Sequence, residues 1–416
     1  MKILILTFST LIILNGNLFA GGFQLNDHSA RSVAMGFSTV ANISDPSAIY
    51  YNPACIAFDA AELSFLLGSS YIMPGGKFTG ITTLNEQKTT SLETWNFLIP
   101  NFFGTWRTPI EGLSFGVGVF VPFGLGTRWP SDWVGRFTAV ETYLQTVEIN
   151  PNLAYNFKIG DIPISIAAGF GYVIGNVELK RNLSTFNPEP ILQLKGDGNG
   201  TTFNAGLSVQ PCEMFKFGAS YRHNIEIEFE GDVSYDNITG LESKFQEGTG
   251  KTKINLPNDF RFGIAYQVRN DLWVELGINY VGWSSYDTLA IKFDKGPGAP
   301  ASTYESKNAR LYKDVITYRL GAEYKFDEYC TLRCGGFYDP MPVEAKYVEP
   351  MLPEGNRLGG SLGFGYSINK TLSLDLGYMG IVAMQTESKD DTNLSKFSGI
   401  YNSWANIISL SINVKF

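Results

Sequence analysis

Strict alternation of apolar and polar residues constrains the fold of this chain more than any other sequence feature. From about Glu62 to the C-terminus, apolar residues recur at every second position, which is the period of a β-strand. One face of the last strand carries Trp404, Ile408, Leu410, Ile412, Val414 and Phe416. The intervening positions elsewhere include Arg319 and Glu323, which could not lie in a dry core. Each strand therefore turns one face to a greasy environment and the other to water.

The lengths of the connections favour a membrane barrel over a soluble sandwich, because half-buried soluble sheets also alternate. Tight connections such as Ile159-Gly160-Asp161 and Arg269-Asn270 interleave strictly with long ones such as 74–93 and 184–199. Short turns at one end and long loops at the other are typical of outer-membrane barrels. The pattern predicts about 14 strands, at residues 62–73, 94–107, 112–124, 137–158, 162–183, 200–211, 214–233, 249–268, 271–293, 311–326, 329–341, 356–368, 371–386 and 402–416.

We therefore predict an all-β fold in which residues 62–416 form an antiparallel transmembrane β-barrel of about 14 strands. A closed barrel bonds every backbone amide at membrane depth without an exposed edge. An even number of strands returns both chain ends to the periplasm. Several strands exceed the roughly 9 to 11 residues needed to span a bilayer, so we expect them to project beyond the outer leaflet.

The N-terminus has the features of a secretory signal peptide, which we assign to residues 1–20. Lys2 precedes an apolar run from Ile3 to Leu14, and a short stretch then ends at Ala20. The run is too short to span a bilayer as a helix, which takes about 20 apolar residues. We expect the mature chain to begin near Gly21 and to lie in the outer membrane of a diderm bacterium.

Composition argues against nucleic-acid binding, metal binding and catalysis. The 32 basic residues are outnumbered by 40 acidic ones, so no basic stripe is available for nucleic acid. The chain has two histidines, His28 and His223, and no serine is singled out by its spacing from either. Its four cysteines are too dispersed for a disulfide framework or a zinc site. We therefore expect neither an enzyme nor a metal or other cofactor.

Residues 21–61 do not alternate and are dominated by small and polar side chains, so they cannot form a lipid-facing strand. A barrel of about 14 strands would leave a water-filled lumen, and a compact N-terminal segment folded inside would close it. We expect such a plug, although a periplasmic tail is the alternative.

The third predicted strand is interrupted at Pro122-Phe123-Gly124. Proline cannot donate a hydrogen bond to a neighbouring strand, and a closed barrel has no edge at which a proline is tolerated. We expect the ladder to open locally, with Gly124 allowing a sharp bend and leaving a gap in the wall. The alternative is that Pro122 already lies above the membrane and begins a loop.

An ordered series of motifs in this chain resembles the FadL family of transporters for long-chain fatty acids and hydrocarbons. Gly22-Phe23-Gln24-Leu25-Asn26 is similar to the mature N-terminus of the family, and Tyr51-Asn52-Pro53-Ala54 to its plug motif. The resemblance continues in order through Pro122–Thr127, Trp133–Phe137, Leu256-Pro257, Gly282–Ser285, Tyr312-Lys313-Asp314 and Ser373–Tyr378.

The resemblance implies a 14-stranded barrel, a plug called the hatch, and a kink in the third strand that opens a lateral hole. A hydrophobic ligand would be captured at an extracellular groove, pass to an internal site beside the hatch N-terminus, and leave sideways into the outer leaflet. The matching positions are Pro122, Phe123 and Gly124 for the kink, Gly21, Gly22, Phe23, Gln24 and Leu25 for the gating end, and Asn52, Pro53 and Ala54 for the hatch anchor.

The resemblance also suggests ligand-binding positions. Arg181, and less clearly Lys307, match basic positions near the ligand carboxylate, although Arg181 could equally be a solvated strand end. An apolar groove could be lined by Leu125, Trp129, Trp133, Val134 and Phe137, which could instead be a membrane-interface belt.

The expected function is passive uptake of long-chain fatty acids or other hydrophobic molecules by a monomer surrounded by outer-membrane lipid and lipopolysaccharide. An aromatic-hydrocarbon channel of the same family and a structural or adhesin barrel are the alternatives.

Overall fold

The computed structural model describes residues 22–81, 87–183, 188–298, 300, 302–388 and 398–416. The predicted signal peptide, residues 1–20, and Gly21 lie outside the described residues. The described chain forms one antiparallel sheet that closes on itself, because the first strand pairs with the last from Ser64 to Gly80. Its strands are β1 (Leu63–Ile81), β2 (Gln87–Ser91), β3 (Phe97–Arg107), β4 (Leu113–Phe120), β5 (Gly124–Arg128), β6 (Glu141–Ile159), β7 (Ile162–Asn182), β8 (Ile191–Cys212), β9 (Phe215–Arg222), β10 (Ile225–Asp236), β11 (Gly248–Leu256), β12 (Asp259–Arg269), β13 (Leu272–Val281), β14 (Thr288–Phe293), β15 (Tyr304–Ala309), β16 (Val315–Lys325), β17 (Cys330–Asp339), β18 (Arg357–Ser367), β19 (Leu372–Ala383), β20 (Thr386–Ser388) and β21 (Gly399–Lys415).

These segments build a barrel of 14 strands, which confirms the predicted number. The short strands β2 and β20 extend loops, while several barrel strands are each interrupted once along their length. The interrupted strands consist of β4 with β5, β9 with β10, β11 with β12, β13 with β14, and β15 with β16.

The barrel wall has polar side chains inside and apolar side chains outside. In β16 the inward Thr317, Arg319 and Glu323 are buried, whereas Tyr318 and Leu320 on the outer face are 46% and 50% exposed. Exposed apolar side chains cost free energy in water, and a belt of them around the wall fits a hydrocarbon environment. The short connections lie at one end of the barrel, here called the turn end, and the long ones at the loop end. At Gly160, a φ of +61° allows a turn between β6 and β7 that any other residue would form less readily.

This polarity reverses towards the loop end. In β9, Ser220 and Arg222 are buried inside, whereas in β10 the buried residues are Ile225, Ile227 and Phe229. The outward positions of β10 are the exposed Glu226, Glu228 and Glu230. Above His223-Asn224 the wall therefore leaves the hydrocarbon, and its interior becomes apolar.

Residues 22–61, here called the hatch, fold into α1 (Ala30–Ala34), α2 (Ala48–Tyr51) and a 3-10 helix (Pro53–Phe58). The side chain of Ser29 caps α1 by accepting a hydrogen bond from the backbone N–H of Ser32. The hatch is almost wholly buried against inward side chains of the barrel. Two further 3-10 helices, Trp283–Ser285 and Ala345–Tyr347, lie in loops. Among the described residues, no helix has the length and apolar character to cross a membrane.

Candidate functional site

The motif Asn52-Pro53-Ala54 lies where the 3-10 helix of the hatch begins. The Nδ2 of Asn52 donates to the carbonyl oxygens of Val40 at 2.9 Å and of Leu207 in β8 at 3.0 Å, and its Oδ1 accepts from the N–H of Ala54 at 3.2 Å. Pro53 occupies the first helical position, where the absent N–H has no intrahelical partner to lose. One buried side chain thus joins two parts of the hatch to the wall.

A buried network of charges also fixes the hatch. Arg31 is 5% exposed, and it donates to Glu323 of β16 from Nε at 2.8 Å and to the carbonyl oxygen of Asn42 at 2.8 Å. Glu323 also accepts from Arg333 of β17 at 2.7 Å, and Arg333 donates to Asp375 of β19 at 2.6 Å. Arg31 of the hatch therefore belongs to a chain of ion pairs that includes residues of β16, β17 and β19.

Glu275 of β13 provides a second anchor. Its carboxylate accepts hydrogen bonds from three successive backbone N–H groups of the hatch: Val40 at 2.5 Å, Ala41 at 2.9 Å and Asn42 at 2.9 Å. Successive N–H groups that converge in this way form an anion-binding nest. Residues 40–42 thus bind the wall through a buried anion rather than through apolar packing.

The third barrel strand is interrupted where the sequence predicted. Phe120 of β4 lies opposite Glu148 of β6, whereas Gly124 of β5 lies opposite Gln145. Four steps along the third strand therefore match three along β6, so one extra residue bulges out of the ladder. The bulge contains Pro122 and Phe123.

The interruption separates the second and third barrel strands. β3 pairs with β4 only as far as Phe102 opposite Val119, and β5 pairs with β6 alone among the described strands. Beyond the gap, towards the loop end, the chains meet again, because the N–H of Glu93 donates to the carbonyl oxygen of Arg128 at 2.8 Å. The wall therefore contains a bounded window between β3 and β5.

The hatch end satisfies backbone groups that a neighbouring strand would otherwise bond. The N–H of Leu25 donates to the carbonyl oxygen of Pro122 at 2.9 Å, and the N–H of Gly124 donates to that of Phe23 at 3.1 Å. Gln24 forms a β-bridge with Phe123. The predicted gating end thus pairs with the predicted kink, except for Gly21, which lies outside the described residues.

The ring of Phe97 in β3 lies across the window. A Cβ atom at Gly126 of β5 would overlap this ring, so the absence of a side chain at Gly126 makes room for it. Phe97 also stacks near Tyr143 of β6 at a centroid distance of 6.4 Å. An aromatic side chain, rather than backbone, therefore covers the window.

A cavity of about 200 Å³, here called the inner cavity, joins the window to the hatch end. It is lined by Gly22, Phe23, Gln24 and Leu25 from the hatch, Phe97 and Ile99 from β3, Gly124–Thr127 from β5, Leu352, Pro353 and Arg357. Most of these groups are apolar or glycine. The inner cavity therefore suits a hydrocarbon chain.

A second cavity of about 330 Å³, the outer cavity, lies at the loop end. Its apolar side chains include Phe137, Leu192, Leu194, Ile291 and Phe293. A smaller cavity, the middle cavity, shares Leu179 and Leu289 with the outer cavity and Phe23 and Leu125 with the inner one. The three form a continuous series through the apolar upper interior.

The basic candidates are placed differently from one another. Arg181 lines the outer cavity, and its side chain makes no hydrogen bond or ion pair with any other described residue. Lys307 is not part of any of these cavity linings, because it points outward from β15 and pairs with Glu305 at 3.0 Å. Arg310, which the sequence analysis did not single out, lines the middle cavity, but it forms an ion pair with Glu349.

The five expected groove residues do not line one groove. Leu125 lines the inner and middle cavities and Phe137 the outer one. Trp129 and Trp133 are each 1% exposed and stack at a centroid distance of 4.3 Å, so they form loop core instead of a ligand surface. Val134 packs against the same core.

An ion pair fixes the loop at the rim of the outer cavity. Arg136 donates two hydrogen bonds of 2.7 Å to Glu189, and its guanidinium lies over the ring of Phe137 at 4.5 Å. The hydrogen bonds from Arg136 lower the pKa of Glu189 to about 2. Within the described chain, no cluster of three or more His, Cys, Asp or Glu side chains is arranged to hold a metal ion.

Comparison with known proteins agrees with this architecture. A family model described as "Outer membrane protein transport protein (OMPP1/FadL/TodX)" matches residues 11–416. The long-chain fatty acid transport protein of Escherichia coli O6:H1 (strain CFT073) is 26% identical over 407 residues, covering 88% of this chain and 87% of that protein. The 47 kDa outer membrane protein of Pasteurella multocida (strain Pm70) is 25% identical over 440 residues, covering 98% and 97%.

Solved structures share the fold. The crystal structure of a Pseudomonas aeruginosa FadL homologue superposes with a TM-score of 0.81 at 20% identity, covering 95% of this chain and 100% of that one. The Pseudomonas putida toluene transporter TodX superposes with a TM-score of 0.74 at 16% identity, covering 94% and 99%. These identities are low, so the likeness extends to the barrel and not to a particular ligand.

Proposed function

Because this chain belongs to the OMPP1/FadL/TodX family of outer membrane transport proteins, we propose that it takes up long-chain fatty acids through a lateral window in its wall. The family places the protein in the outer membrane as a transporter of fatty acids or hydrophobic aromatics. In this orientation the turn end faces the periplasm and the loop end the exterior.

The ligand enters at the outer cavity and moves through the middle cavity to the inner one. Each methylene that leaves water gains about 0.8 kcal/mol, so a series of apolar cavities holds an acyl chain throughout its passage. Phe23 and Leu125 line both of the last two cavities, so the hatch end lies beside the route that the ligand takes.

The observation that carries the proposal is the position of the inner cavity between the hatch end and the unpaired stretch of wall. Phe97 and Ile99 of β3 line it on one side of the gap, and Gly124 to Thr127 of β5 on the other. A ligand in this cavity is separated from the outer leaflet by the ring of Phe97. Rotation of one side chain opens a route to the membrane without any strand having to unpair.

An exit along the barrel axis is less favourable. It requires the hatch to leave the lumen, which breaks the ion pair between Arg31 and Glu323 and frees the carboxylate of Glu275 from its three N–H donors. Removing one partner of a buried ion pair costs about 3 to 5 kcal/mol. The hatch therefore blocks the bore while its N-terminal end borders the lateral route.

Arg181 favours a fatty acid over an uncharged hydrocarbon. It lines the mainly apolar outer cavity without an ionic partner among the described residues, so a ligand carboxylate would supply the missing anion. Toluene offers no such group. Uptake of a labelled long-chain fatty acid should be competed by other alkyl carboxylates and not by toluene.

Deletion of Pro122 tests the lateral route. It removes the extra residue, so Phe123 would face Thr146 and the third strand would match β6 residue for residue. Phe120 and Leu125 both point inward. After the deletion three residues lie between them, and two positions separated in this way are on the same face of a regular strand. No side chain would therefore have to change faces. The regular ladder can pair with β3, closing the window, and we expect uptake to fall at least about tenfold.

The matched control is Pro122→Ala, which removes the proline but keeps the extra residue and the window. We expect it to transport nearly as well as the unmodified protein. Both variants should migrate as folded, heat-modifiable barrels in electrophoresis. Normal uptake by the folded deletion variant would overturn the lateral route.

Three further expectations belong to this proposal. Residues 21–61 act as the hatch domain and residues 62–416 as the barrel, and the protein works as a monomer. Lipid and lipopolysaccharide surround it, and the glutamates on the outer face of β10 would lie among the polar groups above the hydrocarbon.

A further inference from the structure

A buried carboxyl group without a partner lies in the loop segment that borders the inner cavity. Glu354, in the loop that joins β17 to β18, is 4% exposed. Its Oε1 has no hydrogen-bond partner, and no described cation lies within ion-pair distance of the carboxyl group. Its neighbour Pro353 lines the inner cavity. Burial without a partner is costly for a carboxylate, so such a group is a candidate for function.

Arg357, three residues further along, lines the inner cavity. Its Nε is buried without a hydrogen-bond partner, and its nearest anion is Asp339 of β17 at 3.7 Å. Asp339 is shared with Arg319 of β16 at 3.5 Å. Both contacts are too long for hydrogen bonds, so the charge of Arg357 is only loosely balanced.

We infer that Arg357 is an inner binding residue for the anionic head of the ligand, and that the carboxyl group of Glu354 controls this binding. The inference rests on the proposed function, because it assigns a role within the inner cavity. The head would pass from Arg181 in the outer cavity to Arg357, while the acyl chain occupies the space beside the window.

The ionisation of Glu354 determines how strongly Arg357 attracts an anion. The pKa of Glu354 is raised to about 7, because burial raises it by more than Arg357 lowers it, and Asp339 adds a smaller increase. Below this pH the carboxyl group of Glu354 is neutral, so the positive charge of Arg357 is offset only by the carboxylate of Asp339. Above it, the carboxylates of Glu354 and Asp339 both repel an incoming anion.

The other charged or titratable groups nearby keep their charge in this range. Arg319 and Arg310 are guanidinium groups, and Arg310 is paired with Glu349. Burial raises the pKa of Tyr312, on the segment between β15 and β16, well above its ordinary value, so its hydroxyl stays neutral. Glu354 is therefore the group that changes charge near neutral pH.

The test compares two probes of equal chain length on the full-length protein in nanodiscs, with binding to empty nanodiscs subtracted. Decanesulfonate is charged at every pH used, and decanol is never charged, so neither probe titrates. Sulfonate binding should be about tenfold tighter near about pH 6 than near about pH 8.5, a typical size for coupling between two sites. Decanol binding should not change with pH.

The variant Glu354→Gln is nearly isosteric and should bind sulfonate equally well at both pH values. The matched control is Glu344→Gln, in the same loop but on an exposed side chain paired with Lys313, which should keep the pH dependence. Arg357→Met should lose the preference for sulfonate over decanol. Arg357→Lys should retain part of it, which separates loss of charge from misfolding.

The outcomes distinguish the two proposals. If neither probe binds the unmodified protein, the proposed function is wrong. If decanol binds but the sulfonate shows no dependence on Arg357, or if Glu354→Gln keeps the full pH dependence, the inner binding site is wrong while the lateral route stands.

Discussion

Replacement of Arg31 by methionine should release the hatch while leaving the barrel intact. Methionine keeps most of the length of the side chain but removes the charge that pairs with Glu323 and the donor to the carbonyl oxygen of Asn42. Glu323 retains its hydrogen bond from Arg333, so this carboxylate of the wall loses only one of its two guanidinium partners. The loss therefore falls mainly on hatch docking.

The expected magnitude follows from burial. Breaking a buried ion pair costs about 3 to 5 kcal/mol, whereas an exposed one contributes about 0 to 1 kcal/mol. Arg269→Met, which removes an ion pair with Asp271 whose side chains are 61% and 41% exposed, is the matched control. The two variants should therefore differ by at least about 2 kcal/mol, so at 1.4 kcal/mol per factor of ten the hatch of the Arg31 variant should open at least about thirtyfold more often than that of the control.

Hydrogen exchange measures this opening directly. The amide protons of Val40, Ala41 and Asn42 are bonded to Glu275 and exchange only when the hatch leaves the wall. Their protection should fall in the Arg31 variant, while amides of the β7 to β8 ladder should stay protected. Equal protection in both variants would refute the view that buried charge holds the hatch.

Two further changes have defined outcomes. Asn52→Ala removes the amide that donates to the carbonyl oxygens of Val40 and Leu207, and Val40 then keeps the weak thiol donor of Cys55 at 3.7 Å. It should weaken hatch docking by about 1 to 3 kcal/mol, measured by the same exchange experiment. No change would mean that water replaces the amide there. The pKa of Glu189 is lowered to about 2 by its hydrogen bonds with Arg136, so the ion pair stabilises the loop above the ordinary carboxylate pKa of about 4.3 and this stability is lost as the pH falls towards 2. Limited proteolysis with an acid-active protease should therefore cut this loop faster below about pH 3. In Arg136→Gln the loop should already be cut as fast at about pH 5.

Periodicity was sufficient to predict the barrel because each strand must place its side chains on two sides with different solvents. It was less reliable at strand ends. The connection 184–199 was expected to be a loop, yet β8 begins at Ile191, because Gly196, Gly198 and Gly200 obscure the alternation. A Cβ at Gly198 would overlap the backbone of Glu228, so these glycines allow β8 and β10 to approach closely. Similarly, β1 continues past Pro74 to Ile81, since at that level it has already lost its partner on the β3 side.

The reversal of polarity also has a signature in the sequence. Ile225-Glu226-Ile227-Glu228-Phe229-Glu230 alternates as clearly as any membrane strand, but its polar positions are charged, which a lipid-facing surface would not allow. Such a segment indicates the part of the wall that rises above the membrane.

The candidate site was only partly predictable. The kink at Pro122 and the hatch end were accessible because proline and glycine impose local constraints. The basic residues were harder to rank, because Arg181, Lys307, Arg310 and Arg357 are indistinguishable in a linear pattern. What separates them is whether an acidic residue distant in sequence, such as Glu349 for Arg310, neutralises the charge.

The seam between β1 and β21 has a consequence for how the ring is completed. The hydroxyl of Ser70 in β1 donates to the carbonyl oxygen of Asp27 at 2.7 Å, and its oxygen lies 2.9 Å from the hydroxyl oxygen of Ser409 in β21. Ser411 accepts from the N–H of Ala30 at 2.9 Å. A slip of two residues along this seam would leave every apolar side chain facing lipid, so the membrane alone cannot reject it. It would, however, draw these hydroxyl groups away from the body they enclose. The hatch, which precedes β1 in the chain, thus specifies the register in which β21 pairs with β1 when the barrel closes.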